Sequence, residues 1–285
     1  MVRFRWVLAL LLIAAGCTSR SAADDPASAA PASASASTSP ASSVAARTTA
    51  SPSTTSRTTA RSSTARPSVS PSASRSVAQV PPVSARARAV GLIDIRTIVP
   101  DAVIDLRYAT TNNFVGVRMY PIDARCLVHE SMAAGLKVAA DRLRRAGYLV
   151  VVWDCYRPHA VQVRMFEIGP DSNWVARPGP YATSHEAGRS VDVTLARVGP
   201  GVACPVAAQR VQGHCLLDMG TGFDDFTARA HAFASYGVSS QAQANRARLR
   251  SAMNAGGITV YSGEWWHFDG PGSTVRRPHL NAPLD

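Results

Sequence analysis

A stretch of about seventy residues near the N-terminus, from Thr18 to Arg88, limits where this chain of 285 residues can fold. It consists mainly of Ser, Ala, Thr and Pro with scattered Arg, and it contains almost no large apolar residues. Such a segment buries too little apolar surface to offset the conformational entropy lost on folding. We therefore predict a disordered tether over residues 18–88 and one folded domain over residues 89–285.

The residues before the tether have the pattern of an export signal. Two arginines in the first five residues precede an unbroken apolar run from Trp6 to Ala15, which is shorter than the roughly 20 residues that span a bilayer as a helix. The run ends in Ala14-Ala15-Gly16-Cys17, which resembles a bacterial lipobox with Ala in place of the usual Leu. We predict a signal peptide over residues 1–17 and an exported protein that is lipid-anchored through Cys17 on the outer face of the cytoplasmic membrane or in the cell envelope. Cleavage without lipidation is the alternative.

The formal net charge of +11 is concentrated outside the predicted domain. Ten arginines and two aspartates in residues 1–90 account for +8 of this charge and leave +3 for residues 91–285. A nucleic-acid-binding fold carries its basic excess on the folded surface. The high isoelectric point therefore does not indicate a nucleic-acid partner, and we expect none.

Hydrophobic patterning in the predicted domain indicates an α+β fold with a small central, mostly antiparallel sheet flanked by helices. Apolar alternation or continuous β-branched runs predict strands over residues 102–108, 148–154, 190–195 and 265–269. Three helices are predicted. The first is indicated by apolar residues spaced by three and four positions over residues 128–143, the second runs from Pro158 to Ile168, and the third covers residues 241–254.

Four cysteines remain after Cys17. An even number in an exported chain suggests two disulfides, and four cysteines permit three pairings. We favour Cys204–Cys215, which closes a short insertion, and hence Cys126–Cys155. A Cys₄ zinc site is the less favoured interpretation because no C-x-x-C pair is present.

Two segments combine ionisable side chains with apolar strands. They are SHEAGRSVD at residues 184–192 and EWWHF at residues 264–268. Burying a carboxylate or an imidazole in such strands costs several kcal/mol unless the group is paired or bound to a metal. His185, Asp192 and His267 would give one Zn²⁺ per chain three protein ligands and an open fourth position, as catalytic zinc sites have. Glu264 would then be the carboxylate that takes a proton from water.

The motif set resembles the D-alanyl-D-alanine dipeptidases, the VanX-like branch of the M15 zinc peptidases, which share S-x-H-x-x-G-x-A-x-D and a downstream E-x-x-H. Thr183 stands where that pattern has Ser, and Ser190 stands where it has Ala. The resemblance spans almost the whole predicted domain and none of the tether. It includes DLRYAT at 105–110, NNFVG at 112–116, YRP at 156–158, residues 185–192, MGTGFD at 219–224 and EWWH at 264–267.

The resemblance implies a role for each matching residue. His185, Asp192 and His267 would be the zinc ligands, Glu264 the general base and acid, and Arg157 the group that stabilises the oxyanion. The remaining residues implied to bind substrate are Asp224, which would receive the free ammonium group, together with Tyr108, Thr183 and Ser184. For Asp224 the structural alternative is an N-cap for a helix beginning at Asp225.

The implied activity is zinc-dependent hydrolysis of D-Ala-D-Ala by metal-activated water, with a role in cell-wall dipeptide recycling or turnover. One alternative is a peptidoglycan D,D-carboxypeptidase or endopeptidase of the same superfamily. The other is a non-catalytic zinc module that binds the cell wall. An insertion from Val198 to Leu217 is expected to change the rim of the pocket and thereby substrate length.

Overall fold

The structure is a computed structural model that describes residues 79–199, 204 and 210–285. The predicted signal peptide, the lipidation site Cys17 and the tether up to residue 78 lie outside the described residues. No helix in the described part of the chain is long and apolar enough to cross a membrane.

Four helices and nine strands form the described domain. The helices are α1 (Ala85–Ala89), α2 (Ala133–Arg145), α3 (His159–Ile168) and α4 (Ser240–Ala255). The strands are β1 (Leu92–Asp94), β2 (Val103–Ile104), β3 (Leu127–His129), β4 (Tyr148–Asp154), β5 (Ser190–Arg197), β6 (Arg210–Val211), β7 (His214–Cys215), β8 (Thr259–Val260) and β9 (His267–Asp269).

A five-stranded sheet in the order β2-β4-β5-β9-β8 lies at the centre. The β2–β4 pair is parallel and the other three pairs are antiparallel. Two small antiparallel pairs, β1–β3 and β6–β7, lie outside this sheet. The prediction of an α+β domain with a mostly antiparallel central sheet is confirmed.

Burial on both faces explains why β4 and β5 occupy the middle of the sheet. Six of the seven residues of β4 and seven of the eight residues of β5 are buried, as expected for continuous apolar runs. Helices α2 and α4 pack together through an apolar core that includes Leu136 and Leu249. A Cβ atom on Gly135 would lie 2.3 Å from the carbonyl oxygen of Gly256, so this close approach requires glycine.

Several predicted element boundaries differ from the structure. The strand predicted over residues 102–108 is only two residues long, because the chain turns into a 3₁₀ helix at Arg107–Ala109 that buries Tyr108. Val128 lies in β3 rather than in a helix, and α2 begins only after a 3₁₀ turn at Glu130–Met132. Trp265 and Trp266 precede β9 rather than belonging to it.

Ordered structure also begins upstream of the predicted boundary at Ala89. The Ser84 hydroxyl caps α1 by accepting a hydrogen bond from the Ala87 backbone N–H. Val83 and Ala87 are buried in an apolar cluster that also contains Leu284. These apolar side chains give residues 83–88 contacts that the Ser/Ala/Thr/Pro composition upstream does not provide.

Both favoured disulfides are present. Cys126 is bonded to Cys155 and Cys204 to Cys215. The first links the residue before β3 to the residue after β4, and both of its cysteines are buried. It therefore fixes the segment from which the YRP motif continues.

Candidate active site

The register of the central sheet brings the predicted metal ligands together. Asp192 on β5 lies directly opposite His267 on β9, and Ser190 lies opposite Asp269. Side chains at directly opposed positions are close neighbours on one face of a sheet. His185 joins them from the 3₁₀ turn Ser184–Ala187, which ends at a left-handed glycine just before β5.

Three potential ligand atoms form a compact triangle. The Nε2 atom of His185 lies 3.1 Å from Nδ1 of His267 and 3.3 Å from Oδ1 of Asp192, and His267 Nδ1 lies 3.1 Å from the same oxygen. A tetrahedral zinc ion with bonds of about 2.0–2.1 Å separates its ligands by about 3.3 Å. The three residues therefore fit a Zn²⁺ ion.

The remaining ring nitrogens are held by neighbouring groups. Nδ1 of His185 donates to the carbonyl oxygen of Cys155 at 2.7 Å, so its Nε2 lone pair is free to bind a metal. Nε2 of His267 lies 3.3 Å from the carboxylate of Asp269, which also accepts a 2.5 Å hydrogen bond from Ser190. Such partners fix the ring orientation and tautomer of metal-binding histidines.

Electrostatics at the triangle favour a bound cation. Although burial opposes ionisation, His185 and His267 hold the pKa of Asp192 below its usual range. Burial lowers the pKa of His267, but hydrogen bonds with Asp192 and Asp269 outweigh it and raise this pKa to about 10. Without a metal, the His267 ring thus holds a proton, and a divalent cation that binds at the triangle displaces it.

Glu264 lies beside the triangle, with Oε2 4.0 Å from Nδ1 of His267. Its side chain is only 14% exposed. Burial raises the pKa of Glu264 to about 7. A carboxyl group that titrates near neutrality can both accept and donate a proton in catalysis.

Arg157 is held rigidly at the wall of the site. Its Nε and Nη2 atoms donate to Oδ2 of Asp154 at 3.1 and 2.7 Å, and its Nη1 atom donates to Oε1 of Gln162 at 2.7 Å. Asp154 is fully buried and also accepts a 2.7 Å hydrogen bond from the hydroxyl of Tyr120. A guanidinium fixed in this way can stabilise negative charge without reorganising during the reaction.

Asp224 receives hydrogen bonds from the hydroxyl of Tyr108 at 3.1 Å and from the backbone N–H of Phe114 at 3.4 Å. Its backbone is left-handed, with φ of 56°. The next helical turn, Ala228–Ala230, begins after Thr227, so Asp224 does not cap a helix and that alternative is wrong. Burial raises the pKa of Asp224 well above its usual value, and the Asp192 and Glu264 carboxylates add to this effect.

These groups line one cavity of about 320 Å³. This volume is at the small end of the roughly 300–1,000 Å³ typical of ligand pockets. Phe114, Trp174 and Phe226 add an aromatic wall. All nine residues predicted to bind metal or substrate or to act in catalysis are in its lining: Tyr108, Arg157, Thr183, Ser184, His185, Asp192, Asp224, Glu264 and His267.

The described residues of the insertion at residues 198–217 lie away from the cavity. None of residues 198, 199, 204 and 210–217 lines the cavity. The β6–β7 turn instead reaches the sheet edge, where Nε2 of Gln212 donates to the carbonyl oxygen of Ile104 at 2.6 Å. For these residues the expected effect on the pocket rim is wrong, because they contact edge strand β2 and the C-terminal part of β5 instead.

A second group of potential ligands, His159, Glu186 and His279, lies next to the cavity. Nδ1 of His159 is 2.6 Å from Oε1 of Glu186, and the rings of His159 and His279 are stacked with centroids 3.7 Å apart and planes at 16°. The ring lone pairs lie in nearly parallel planes and cannot converge on one ion. Of the two groups, His185, Asp192 and His267 therefore have the geometry that fits a metal ion.

Sequence reasoning missed three residues that support the site, namely Asp154, Gln162 and Asp269. Two of them carried a usable signal. Asp154 ends a continuous apolar strand, where a carboxylate needs a partner. Asp269 is two residues beyond His267 on a strand and so shares its face. Gln162 gave no signal, because its pairing with Arg157 depends on how α3 packs.

Comparisons with known proteins give matches to D-alanyl-D-alanine dipeptidases. The family model of the M15 peptidases, described as D-ala-D-ala dipeptidase, matches residues 88–285. The D-alanyl-D-alanine dipeptidase of Escherichia coli K12 is 33% identical over 180 residues, which are 63% of this chain and 84% of the relative. That of Enterococcus faecium is 30% identical over 200 residues, which are 63% of this chain and 91% of the relative. A solved structure of the LD-carboxypeptidase LdcB aligns with 64% of this chain and 69% of its own, at 15% identity and a TM-score of 0.36.

Proposed function

Because the chain belongs to the M15 peptidase family of D-Ala-D-Ala dipeptidases, we propose that it hydrolyses free D-Ala-D-Ala to two D-alanines in a zinc-dependent reaction. The observation that carries this proposal is the shared cavity, which is lined by the ligand triangle, Glu264 and Arg157 and also by Asp224 with its Tyr108 partner. A small cavity that has a metal-ligand triangle and a separate carboxylate, Asp224, suits a short substrate with a free amino group.

The proposed metal site consists of His185 Nε2, Asp192 Oδ1 and His267 Nδ1. The chemistry that a bound Zn²⁺ supplies is Lewis acidity, which polarises a carbonyl group and makes water more acidic. The protein provides two neutral imidazoles and one carboxylate for this purpose, and the hydrogen bonds of His185 to Cys155 and of His267 to Asp269 keep the rings in place.

Glu264 acts as the general base and then as the general acid. Its carboxylate accepts a proton from the attacking water and delivers it to the nitrogen of the departing D-alanine. Arg157, held by Asp154 and Gln162, stabilises the negative charge that develops on the carbonyl oxygen.

The amino end of the substrate is held by Asp224. Its carboxylate pairs with the free ammonium group, and Tyr108 keeps the carboxylate in position. Burying an acylated nitrogen there would leave Asp224 without a cationic partner, which is costly. Thr183 and Ser184 line the same cavity and are proposed to contact the rest of the dipeptide.

We further propose that the enzyme is exported and lipid-anchored at Cys17, and that it acts on dipeptides released during cell-wall turnover. The support is the apolar run ending at Gly16-Cys17 and the Ser/Ala/Thr/Pro-rich segment that follows it. Metabolic labelling with a fatty-acid probe tests the anchor, with Cys17→Ser as the matched variant. Labelling of both proteins, or of neither, would contradict lipidation at Cys17.

The test of activity is alanine release by the purified domain from D-Ala-D-Ala, L-Ala-L-Ala and an N-acylated D-Ala-D-Ala peptide, each with and without chelator. Chelator-sensitive cleavage of the free D,D-dipeptide alone supports the proposal. Cleavage of only the acylated peptide would instead identify a D,D-carboxypeptidase, and a folded, zinc-loaded domain that cleaves nothing would indicate a binding module.

The role of Glu264 is tested with Glu264→Gln. This variant should keep one zinc per chain and lose at least about 100-fold in kcat, which is the usual size of general acid–base catalysis. A variant that binds zinc and retains full turnover would show that another group is the base.

A further inference from the structure

Arg246 on α4 is a buried cation that the proposed mechanism does not use. It is only 1% exposed. None of the described carboxylates lies within 4.0 Å of its guanidinium, and burial lowers the pKa of Arg246 to about 10 although the more distant Asp218 and Asp225 act to raise it. A buried charge without an ionic partner is expensive, and an apolar side chain of similar size would fill the space at lower cost.

The partners of Arg246 are backbone carbonyl groups at the two ends of one loop. Nε donates to the carbonyl oxygen of Met219 at 2.7 Å, and Nη1 donates to those of Arg229 and His231 at 2.9 and 3.1 Å. The loop between these contacts, residues 219–231, contains Asp224, and we call it the Asp224 loop. One guanidinium thus connects the beginning of this loop to its end.

The same guanidinium also contacts the segment that carries the general base. It lies 5.5 Å from the ring centroid of Trp265, the residue after Glu264. Trp265 in turn donates from its backbone N–H to the carbonyl oxygen of Ala230 and from Nε1 to the hydroxyl of Thr221. Arg246 and Trp265 therefore hold the Asp224 loop from two sides.

Asp224 needs such support because its backbone is strained. A non-glycine residue at φ of 56° is uncommon and persists only where the surroundings hold it. The loop itself has one short 3₁₀ turn and no strand among its residues. Its geometry therefore depends on contacts such as those of Arg246.

We infer that Arg246 is a positioning residue for the ammonium pocket, which keeps the Asp224 carboxylate where the amino group of the substrate binds. This inference rests on the proposed function. Arg246 is not part of the cavity lining, so its loss should weaken binding of the ammonium group more than it slows the chemical step.

The experiment compares Arg246→Met and Arg246→Lys with Arg250→Met and Arg250→Lys as matched controls. Arg250 lies one turn further along α4, and its Nη1 atom donates to the carbonyl oxygen of Ala232, just beyond the loop. Steady-state kinetics with D-Ala-D-Ala, zinc content and circular dichroism are measured for each variant. The preference for the free dipeptide over its N-acetyl derivative is measured as well.

For Arg246→Met we expect KM to rise about tenfold, comparable to the loss of one hydrogen bond to a charged group, while kcat stays within about twofold. Zinc content should remain at one per chain, and the preference for the free amine should fall. The KM of Arg246→Lys should lie between the values for the wild type and Arg246→Met, and both Arg250 variants should have the KM and kcat of the wild type.

Equal effects in the Arg246 and Arg250 variants, or a fall in kcat at unchanged KM, would overturn the inference. If Arg246→Met does not fold, the comparison of the two Lys variants decides, with a KM rise confined to Arg246→Lys as the supporting result. Failure of the wild type to cleave D-Ala-D-Ala would refute the proposed function instead, so the two failures are distinguishable.

Discussion

The Nε2 atom of His185 lies 3.1 Å from the Nδ1 atom of His267, although the two residues are 82 positions apart in the sequence. The register between β5 and β9 produces this proximity, because it places Asp192 opposite His267 immediately after the turn that carries His185. The proposed metal site is thus a consequence of strand pairing. Substitution of a ligand residue should therefore reduce metal binding more than it reduces the stability of the fold.

Removing a ligand should remove the metal. We expect His267→Ala to contain less than about 0.1 zinc per chain after dialysis, because two ligands seldom hold zinc against water. Metal analysis by mass spectrometry measures this, with Glu264→Gln as the control that retains one zinc. Full occupancy in a folded His267→Ala protein would place the zinc elsewhere.

Zinc binding should weaken as the pH falls. Hydrogen bonds with Asp192 and Asp269 outweigh burial and raise the pKa of His267 to about 10, so this ring is protonated at neutral pH in the metal-free protein. The metal must displace that proton, and apparent affinity should therefore fall up to about tenfold for each pH unit below this pKa. Competition with a chelator at pH 6, 7 and 8 measures the slope. An affinity that does not change with pH would contradict the protonated state of His267.

Asp154 should affect catalysis through Arg157. In Asp154→Asn one acceptor of the guanidinium loses its charge, and we expect kcat to fall about 10–100-fold, the usual effect of losing a supporting partner. KM should change less, because Arg157 acts mainly on the developing oxyanion. Kinetics of the zinc-loaded variant test this, with Asp141→Asn on the exposed face of α2 as the control. A rise in KM with unchanged kcat would show that Arg157 binds the ground state instead.

The parts of the fold that were predictable have strong local signals. Strand β4 was predicted with its observed limits, because a continuous β-branched run such as YLVVVWD favours one structure. Helices α3 and α4 were predicted to within about two residues, because Pro158 marks the start of α3 and Gly256 with Gly257 marks the end of α4. The proximity of His185, Asp192 and His267 was also predictable, because buried ionisable residues in apolar strands need a shared partner.

The parts that were not predictable depend on long-range contacts. The 3₁₀ turn at Tyr108 exists because that side chain packs in the core and reaches Asp224, 116 positions away. The support of Arg157 by Gln162 and the contacts of Arg246 with the Asp224 loop depend on helix packing in the same way. A single sequence gives no distance between such residues.

Asp94 should make the stability of the domain sensitive to acid. Its buried carboxylate accepts hydrogen bonds from the side chains of Arg96 and Arg125. Although burial alone would raise it, these bonds lower the pKa of Asp94 below its usual value of 3.8. The ionised form therefore stabilises the fold at pH values above 3.8, and this contribution is lost as the pH falls through the lower folded-state pKa.

In Asp94→Asn the free energy of unfolding at pH 7 should fall by about 2–3 kcal/mol, the value of hydrogen bonds to a charged group. The difference from the wild type should shrink as the pH falls below 3.8, because the carboxyl group then binds a proton in the unfolded chain before it does so in the folded protein. Urea unfolding at pH 7 and pH 3 measures both quantities, with Asp123→Asn on the surface as the control. A difference that is the same at both pH values would show that the shape of the Asp94 side chain, rather than its charge, stabilises the fold.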